Sequence, residues 1–101
     1  LAPRNAIYAE RRDIVIAGLE AMGLKPLRPK GAIYVWTPVA PGWTSARYAE
    51  ELLSDTGVSI APGSMFGESG EGYARVSLVQ TAERMQEAMA RWGRWHASRC
   101  S

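Results

Sequence analysis

Cysteine is nearly absent from this chain: Cys100 stands alone beside the C-terminus. One thiol excludes an internal disulfide framework. With a single histidine, His96, it cannot furnish a closed zinc site either, so no metal role is expected. No apolar run reaches membrane-spanning length, and the N-terminus lacks the pattern of a signal peptide. Charge of one sign is also scarce. A formal charge of +2 spread over scattered basic residues argues against nucleic acid as a partner and for a solvated surface. Repeats and low-complexity segments are missing. These exclusions leave a soluble protein of a reducing compartment, with no membrane contact and the cytoplasm as its expected location.

What is present is apolar and aromatic weight. The chain has 101 residues, 47% of them hydrophobic, and four tryptophans, which suits one domain with one packed core or an interface. It opens on Leu1-Ala2-Pro3, which runs almost at once into a helical pattern. That start reads as a chain cut from something longer, although tag removal or processing would give the same beginning.

From Pro3 to Met22 the residues Ile7, Tyr8, Ile14, Val15, Leu19 and Met22 repeat at helical spacing, with Gly23 as a left-handed cap and Pro26 and Pro29 barring continuation. Ala32 to Thr37 reads as a strand covered on both faces, with Tyr34 and Trp36 as core. Trp43, in the loop that follows, fills a core edge or meets another chain. Thr44 or Ser45 caps a second helix to Thr56, with Tyr48, Ala49, Leu52 and Leu53 buried, Arg47, Glu50, Glu51 and Asp55 in water, and Gly57 as its stop. Val58 to Ala61 is a short strand, and Glu68 to Gly72 a flexible, solubilising connection. A last helix starts at Thr81 and buries Met85, Ala88, Met89, Trp92 and Trp95, a stripe that reads as core rather than as a cofactor box. The order helix, strand, helix, strand, strand, helix predicts an α+β fold: a two-layer small domain whose short, mostly antiparallel sheet is covered by amphipathic helices. The domain is expected over residues 1–96, with a frayed tail over 97–101.

One residue stands out. Tyr73 to Val79 alternates as a strand, with Ala74, Val76 and Leu78 on one face and Tyr73, Arg75 and Ser77 on the other. A mid-strand guanidinium is always charged and needs a partner or water, and its planar fork matches a carboxylate or phosphate. An arginine on a solvated strand face and a structural salt bridge are the other readings. Upstream, Pro62, Gly63 and Ser64 lie in a turn-rich loop that either faces a cleft or simply joins strands.

Four stretches, in register, resemble the C-terminal small domain of fold-type I pyridoxal-phosphate-dependent aminotransferases of classes I and II: Tyr8-Ala9-Glu10-Arg11-Arg12-Asp13; Lys30-Gly31-Ala32-Ile33-Tyr34-Val35-Trp36; Gly57 to Gly67; and Gly72 to Leu78. The tone is closest to the branch holding LL-diaminopimelate, aspartate and alanine aminotransferases. The resemblance implies that Arg75 grips the α-carboxylate of an amino-acid substrate, that Pro62, Gly63 and Ser64 shape an active-site loop, and that the cofactor is pyridoxal 5'-phosphate. It also implies amino-acid and 2-oxo-acid substrates, a large cofactor-binding domain as partner and a homodimer. The family's cofactor lysine, phosphate-binding cluster and pyridine-nitrogen aspartate belong to that large domain. Lys25 and Lys30 read as surface charges, Asp13 and Asp55 as helix-face residues, and Arg11, Arg12 and Asp13 as surface or interdomain ion pairs. The chain alone is therefore expected to be inactive and to hold no catalytic residue. Two other readings stand beside this one: a free-standing interaction module offering Trp43 and Phe66 to a partner, and a small-ligand binder using Arg75 as an anion clamp.

Overall fold

Helix α1 spans Ala2–Ala21 in the computed structural model, which describes residues 2–27 and 33–100. Lys30 and Ala32, named above as a surface charge and the first residue of a strand, lie outside the described residues. Pro3 sits in the first turn of α1, where its missing N–H has no helical partner to lose. The helix ends on Gly23 at φ 87, with the Gly23 N–H returning to the Glu20 carbonyl at 3.0 Å and the Leu24 N–H to the Leu19 carbonyl at 3.1 Å. Val15, Ile16 and Leu19 are buried, whereas Ile7, expected in the same stripe, is exposed.

Strand β1 (Tyr34–Pro38), strand β2 (Ala61–Pro62) and strand β3 (Tyr73–Ser77) form one antiparallel sheet in the order β1-β3-β2. The register sets Trp36 opposite Arg75 on one side and Ala61 opposite Arg75 on the other. Val35, Thr37, Ala74 and Val76 alternate onto the buried face. Leu27 donates its N–H to the Trp36 carbonyl at 2.8 Å, which covers the outer edge of β1. The expected strand Val58–Ala61 contracts to β2. Ile60 is buried and Ser59 exposed as in a strand, but only Ala61 and Pro62 find partners on β3.

Helix α2 (Ser45–Thr56) is capped at both ends: the Thr44 side chain accepts from the Arg47 N–H at 3.2 Å, and Gly57 at φ 81 returns its N–H to Leu53 at 2.9 Å. Tyr48, Ala49 and Leu52 are buried, but Leu53, at the edge of that stripe, is half-exposed. Helix α3 (Ala82–Cys100) begins at Thr81, whose hydroxyl accepts from the Arg84 N–H at 3.2 Å. It continues past His96 to Cys100, into the stretch expected as a tail. Arg99 in its last turn bonds Asp55 at 2.9 Å and also Glu51, while Trp95 Nε1 donates to Asp55 at 2.8 Å. Glu51 and Asp55, expected only to face water, thus tie α2 to α3.

The helices pack on the buried sheet face, α1 against β1 and α2 against β2 and β3, with α3 touching both helices. This is the expected two-layer α+β arrangement. At Gly18 the α1–α3 crossing is close enough that an added Cβ would lie 2.7 Å from Met89 Cε. Trp92, Tyr48, Leu19, Leu52 and Leu78 are the large, fully buried side chains. Their polar atoms are satisfied: Trp92 Nε1 donates to Tyr48 Oη at 2.9 Å, and Tyr48 Oη meets His96 Nδ1 at 2.8 Å. Burial raises the Tyr48 pKa and lowers that of His96, so both are held neutral.

Candidate functional site

The face of the sheet turned away from the helices is aromatic and partly open. Arg75 stands near its middle, on the central strand. Its guanidinium carbon lies over the Tyr34 ring, 4.0 Å from the centroid, and over the Phe66 ring at 4.5 Å. Phe66 in turn meets Trp36 edge-on at 5.5 Å. Tyr34 and Trp36 are therefore not core residues, as the doubly apolar strand suggested. They are half-buried on the open face, because the helices cover one side of the sheet only. Among the described residues no carboxylate is paired with Arg75. Its fork is free to take an outside anion.

Pro62, Gly63 and Ser64 form the approach to Phe66. Pro62 pairs with Ala74 in the register, and the 3₁₀ turn Gly63–Phe66 follows directly. Gly63 is buried against backbone. An added Cβ would overlap the Gly70 carbonyl oxygen and lie 2.6 Å from that of Tyr73. The Ser64 N–H donates to Ser45 Oγ at 3.2 Å, while the Ser64 side chain is exposed.

The stretch after this turn carries more structure than its composition suggested, with Glu68 exposed as expected and Glu71 bonded. Glu68–Gly70 is a second 3₁₀ turn, and Glu71 reaches back to the start of α2. Its carboxylate accepts from the Ser45 N–H at 2.8 Å, the Ser45 hydroxyl at 3.3 Å and the Gly72 N–H at 2.7 Å. The Ser45 backbone bond, then that of Gly72, holds the Glu71 pKa below the usual carboxylate value. Glu71, Ser45 and Ser64 thus form a bonded chain that seats the Phe66 turn.

Arg12 and Asp13 form the expected surface pair at 3.4 Å. Arg11 does not join an ion pair among the described residues. Its Nη1 donates to the Leu78 carbonyl at 2.9 Å, bracing α1 to the segment leaving β3. Lys25 is exposed in the loop after α1. Trp43 fills a core edge, with its ring 5.6 Å from Tyr48 and 5.7 Å from Trp95 and capped by Arg47 at 4.3 Å. The described residues hold no group of three or more metal-ligating side chains, and no helix among them is long and apolar enough to cross a membrane. Arg75 was findable from its place in the strand. Tyr34 and Phe66 were not, because their approach depends on cross-strand register and on a turn. Glu71 reads as an ordinary loop charge until the fold brings it to Ser45.

Fold and site together define a two-layer α+β domain that sets Arg75, unpaired among the described residues, on an aromatic sheet face. The family model for aminotransferase class I and II matches residues 1–91, and the chain belongs to that family. It is 47% identical over 91 residues to the LL-diaminopimelate aminotransferase of Moorella thermoacetica, covering 90% of this chain and 23% of that protein. It is 43% identical to the LL-diaminopimelate aminotransferase of Dehalococcoides mccartyi, over 85% of this chain and 22% of that one. The crystal structure of an aromatic aminotransferase from Pyrococcus horikoshii superposes with a TM-score of 0.89 at 39% identity, covering 93% of this chain and 26% of that one. The chain thus spans about a quarter of the length of the relatives it matches.

Proposed function

We propose that this chain is the C-terminal small domain of a pyridoxal 5'-phosphate-dependent aminotransferase, and that Arg75 grips the α-carboxylate of the amino-acid substrate as the domain closes over a large one. The observation that carries this reading is the Arg75 guanidinium itself, mid-strand on the central strand, flanked by Tyr34 and Phe66 and unpaired among the described residues. A rigid strand is the right place for such a group, since the clamp must hold its geometry while the substrate reacts.

Pyridoxal phosphate, when bound, supplies the electron sink for loss of the substrate α-proton. The described residues fit the substrate carboxylate better than the cofactor. Lys25 is the lysine among them and lies exposed in a loop, so the large domain is the expected holder of the cofactor. Arg75 fixes one end of the amino acid, and so orients the bond to be broken. Tyr34, Trp36 and Phe66 keep water from the clamp once the domain closes. Pro62, Gly63 and Ser64 shape the loop that carries Phe66 to it. The isolated chain is inactive in this reading, and the complete enzyme is a cytoplasmic homodimer that moves an amino group from an amino acid to a 2-oxo acid. The names of its relatives make LL-diaminopimelate the first donor to assay.

The test is kinetic, in the enzyme holding both this chain and its cofactor-binding domain. Arg75→Lys keeps the charge and loses the fork, and kcat/KM for the amino donor should fall about 100-fold or more. Turnover close to wild type would overturn the assignment. Activity of the chain alone with added cofactor would overturn the division of labour.

A further inference from the structure

We propose that Phe66 and Tyr34 are positioning residues for the Arg75 clamp, a role that rests on the reading of Arg75 as the substrate-carboxylate ligand. The arginine side chain is long and carries several rotatable bonds, so an arginine free in water spends little of its time in one pose. Here its guanidinium carbon lies over two ring faces, Tyr34 at 4.0 Å and Phe66 at 4.5 Å. A ring face attracts the cation as a whole and takes none of its N–H groups in a directional bond. The rings therefore hold the cation in place and leave its fork for a carboxylate. A carboxylate partner in the protein would hold Arg75 as firmly but would occupy the fork. Among the described residues none does so.

The two rings come from opposite sides of β3. Tyr34 belongs to β1, and Phe66 ends the turn that follows β2. Phe66 is 45% exposed, far more than core packing requires. Its turn is nevertheless fixed from below, by the backbone of Gly63 against that of Gly70, and by the bonds from Ser64 to Ser45 and from Ser45 to Glu71. An exposed ring on a firmly held turn, aimed at one cation, is poorly explained by stability. It is well explained by preorganisation of the clamp.

The experiment compares two substrates in the complete, cofactor-loaded enzyme: the amino donor, and the matching amine that lacks the α-carboxylate. Phe66→Leu removes the ring and keeps an apolar side chain. It should lower kcat/KM for the amino acid by about 3-fold to 30-fold, mainly through KM, and lower that for the amine by a clearly smaller factor. Phe66→Tyr, which restores a ring, should recover most of the loss, and Tyr34→Leu and Tyr34→Phe should repeat the pattern. Equal losses on amino acid and amine would mean a merely structural role and overturn the proposal, as would no loss on either. Arg75→Lys on the same pair separates the two levels. If it fails to reduce discrimination for the carboxylate, the assignment of Arg75 itself falls. If it does reduce discrimination and Phe66→Leu does not, only the positioning role falls.

Discussion

Among the described glycines, Gly63 has the least room for a side chain. Its neighbours are the carbonyl oxygens of Gly70 and Tyr73, and a Cβ would meet backbone rather than the yielding end of a side chain. Gly63→Ala should therefore cost about 1–3 kcal/mol, read as a lower urea midpoint for the 101-residue chain. Ser69→Ala, in the exposed part of the same stretch, should stay within about 0.5 kcal/mol. A neutral Gly63→Ala would mean that the two turns are not seated as described. The sequence showed Gly63 as a turn residue but could not show this reason, because Gly70 and Tyr73 approach it only when both 3₁₀ turns are folded. The same divide runs through the site. A charged fork in mid-strand makes Arg75 conspicuous on the page, whereas the rings beside it are indistinguishable there from core aromatics. Tyr34 reads as core in the sequence for that reason. Periodicity reports which residues share a face, and only the helices' placement decides which face is covered.

At the scale of elements, local signals proved readable and distant ones did not. Helix α2 shows both. Its caps, Thr44 and Gly57, act within one turn of their own positions and were legible at once. Its long-range anchors, Glu71 at one end and Arg99 at the other, arrive from remote parts of the chain. Leu53 marks the same limit: a stripe read off spacing has no sharp edge, and the neighbouring elements stop at Leu52. β2 came out shorter than its pattern because alternation records burial, whereas pairing needs a partner strand within hydrogen-bonding reach, and on this side β3 pairs only with Ala61 and Pro62. The local signals can be tested directly. Gly57 holds φ 81, a conformation that costs other residues about 1–2 kcal/mol, while its Cβ position is nearly open, with Arg91 Nη1 3.9 Å away. Gly57→Ala should therefore destabilise the chain by about that amount without disturbing packing, and thermal or urea unfolding will read it. A stabilising effect would show that the C-terminus of α2 is not capped in the left-handed form.

The whole molecule should be most stable on a plateau bounded by its buried and bonded titratable groups. Burial lowers the His96 pKa, so below the ordinary histidine value of about 6.5 the unfolded chain takes up a proton that the fold refuses. Stability from this source is complete above that pH and declines below it. The carboxylates add to the same flank further down. Glu51, held low first by its bond from Arg47, and Glu71, held low first by the Ser45 N–H, contribute above the ordinary glutamate value of about 4.3 and lose that contribution as pH falls. On the alkaline side burial raises Cys100 and Tyr48. The unfolded thiol ionises from about pH 8.5 and the unfolded phenol from about pH 10, while the folded groups stay protonated, so stability declines as pH rises. The urea midpoint should thus be highest between about pH 6.5 and pH 8.5 and lower on both sides. His96→Gln should remove the first part of the acid flank, since the Tyr48 hydroxyl, which accepts the Trp92 indole N–H, would then face a group that does not titrate. A midpoint unchanged between about pH 7.5 and pH 5 in the unsubstituted chain would show that His96 is not held neutral beside Tyr48, and that the polar centre of the core is wetter than its burial implies.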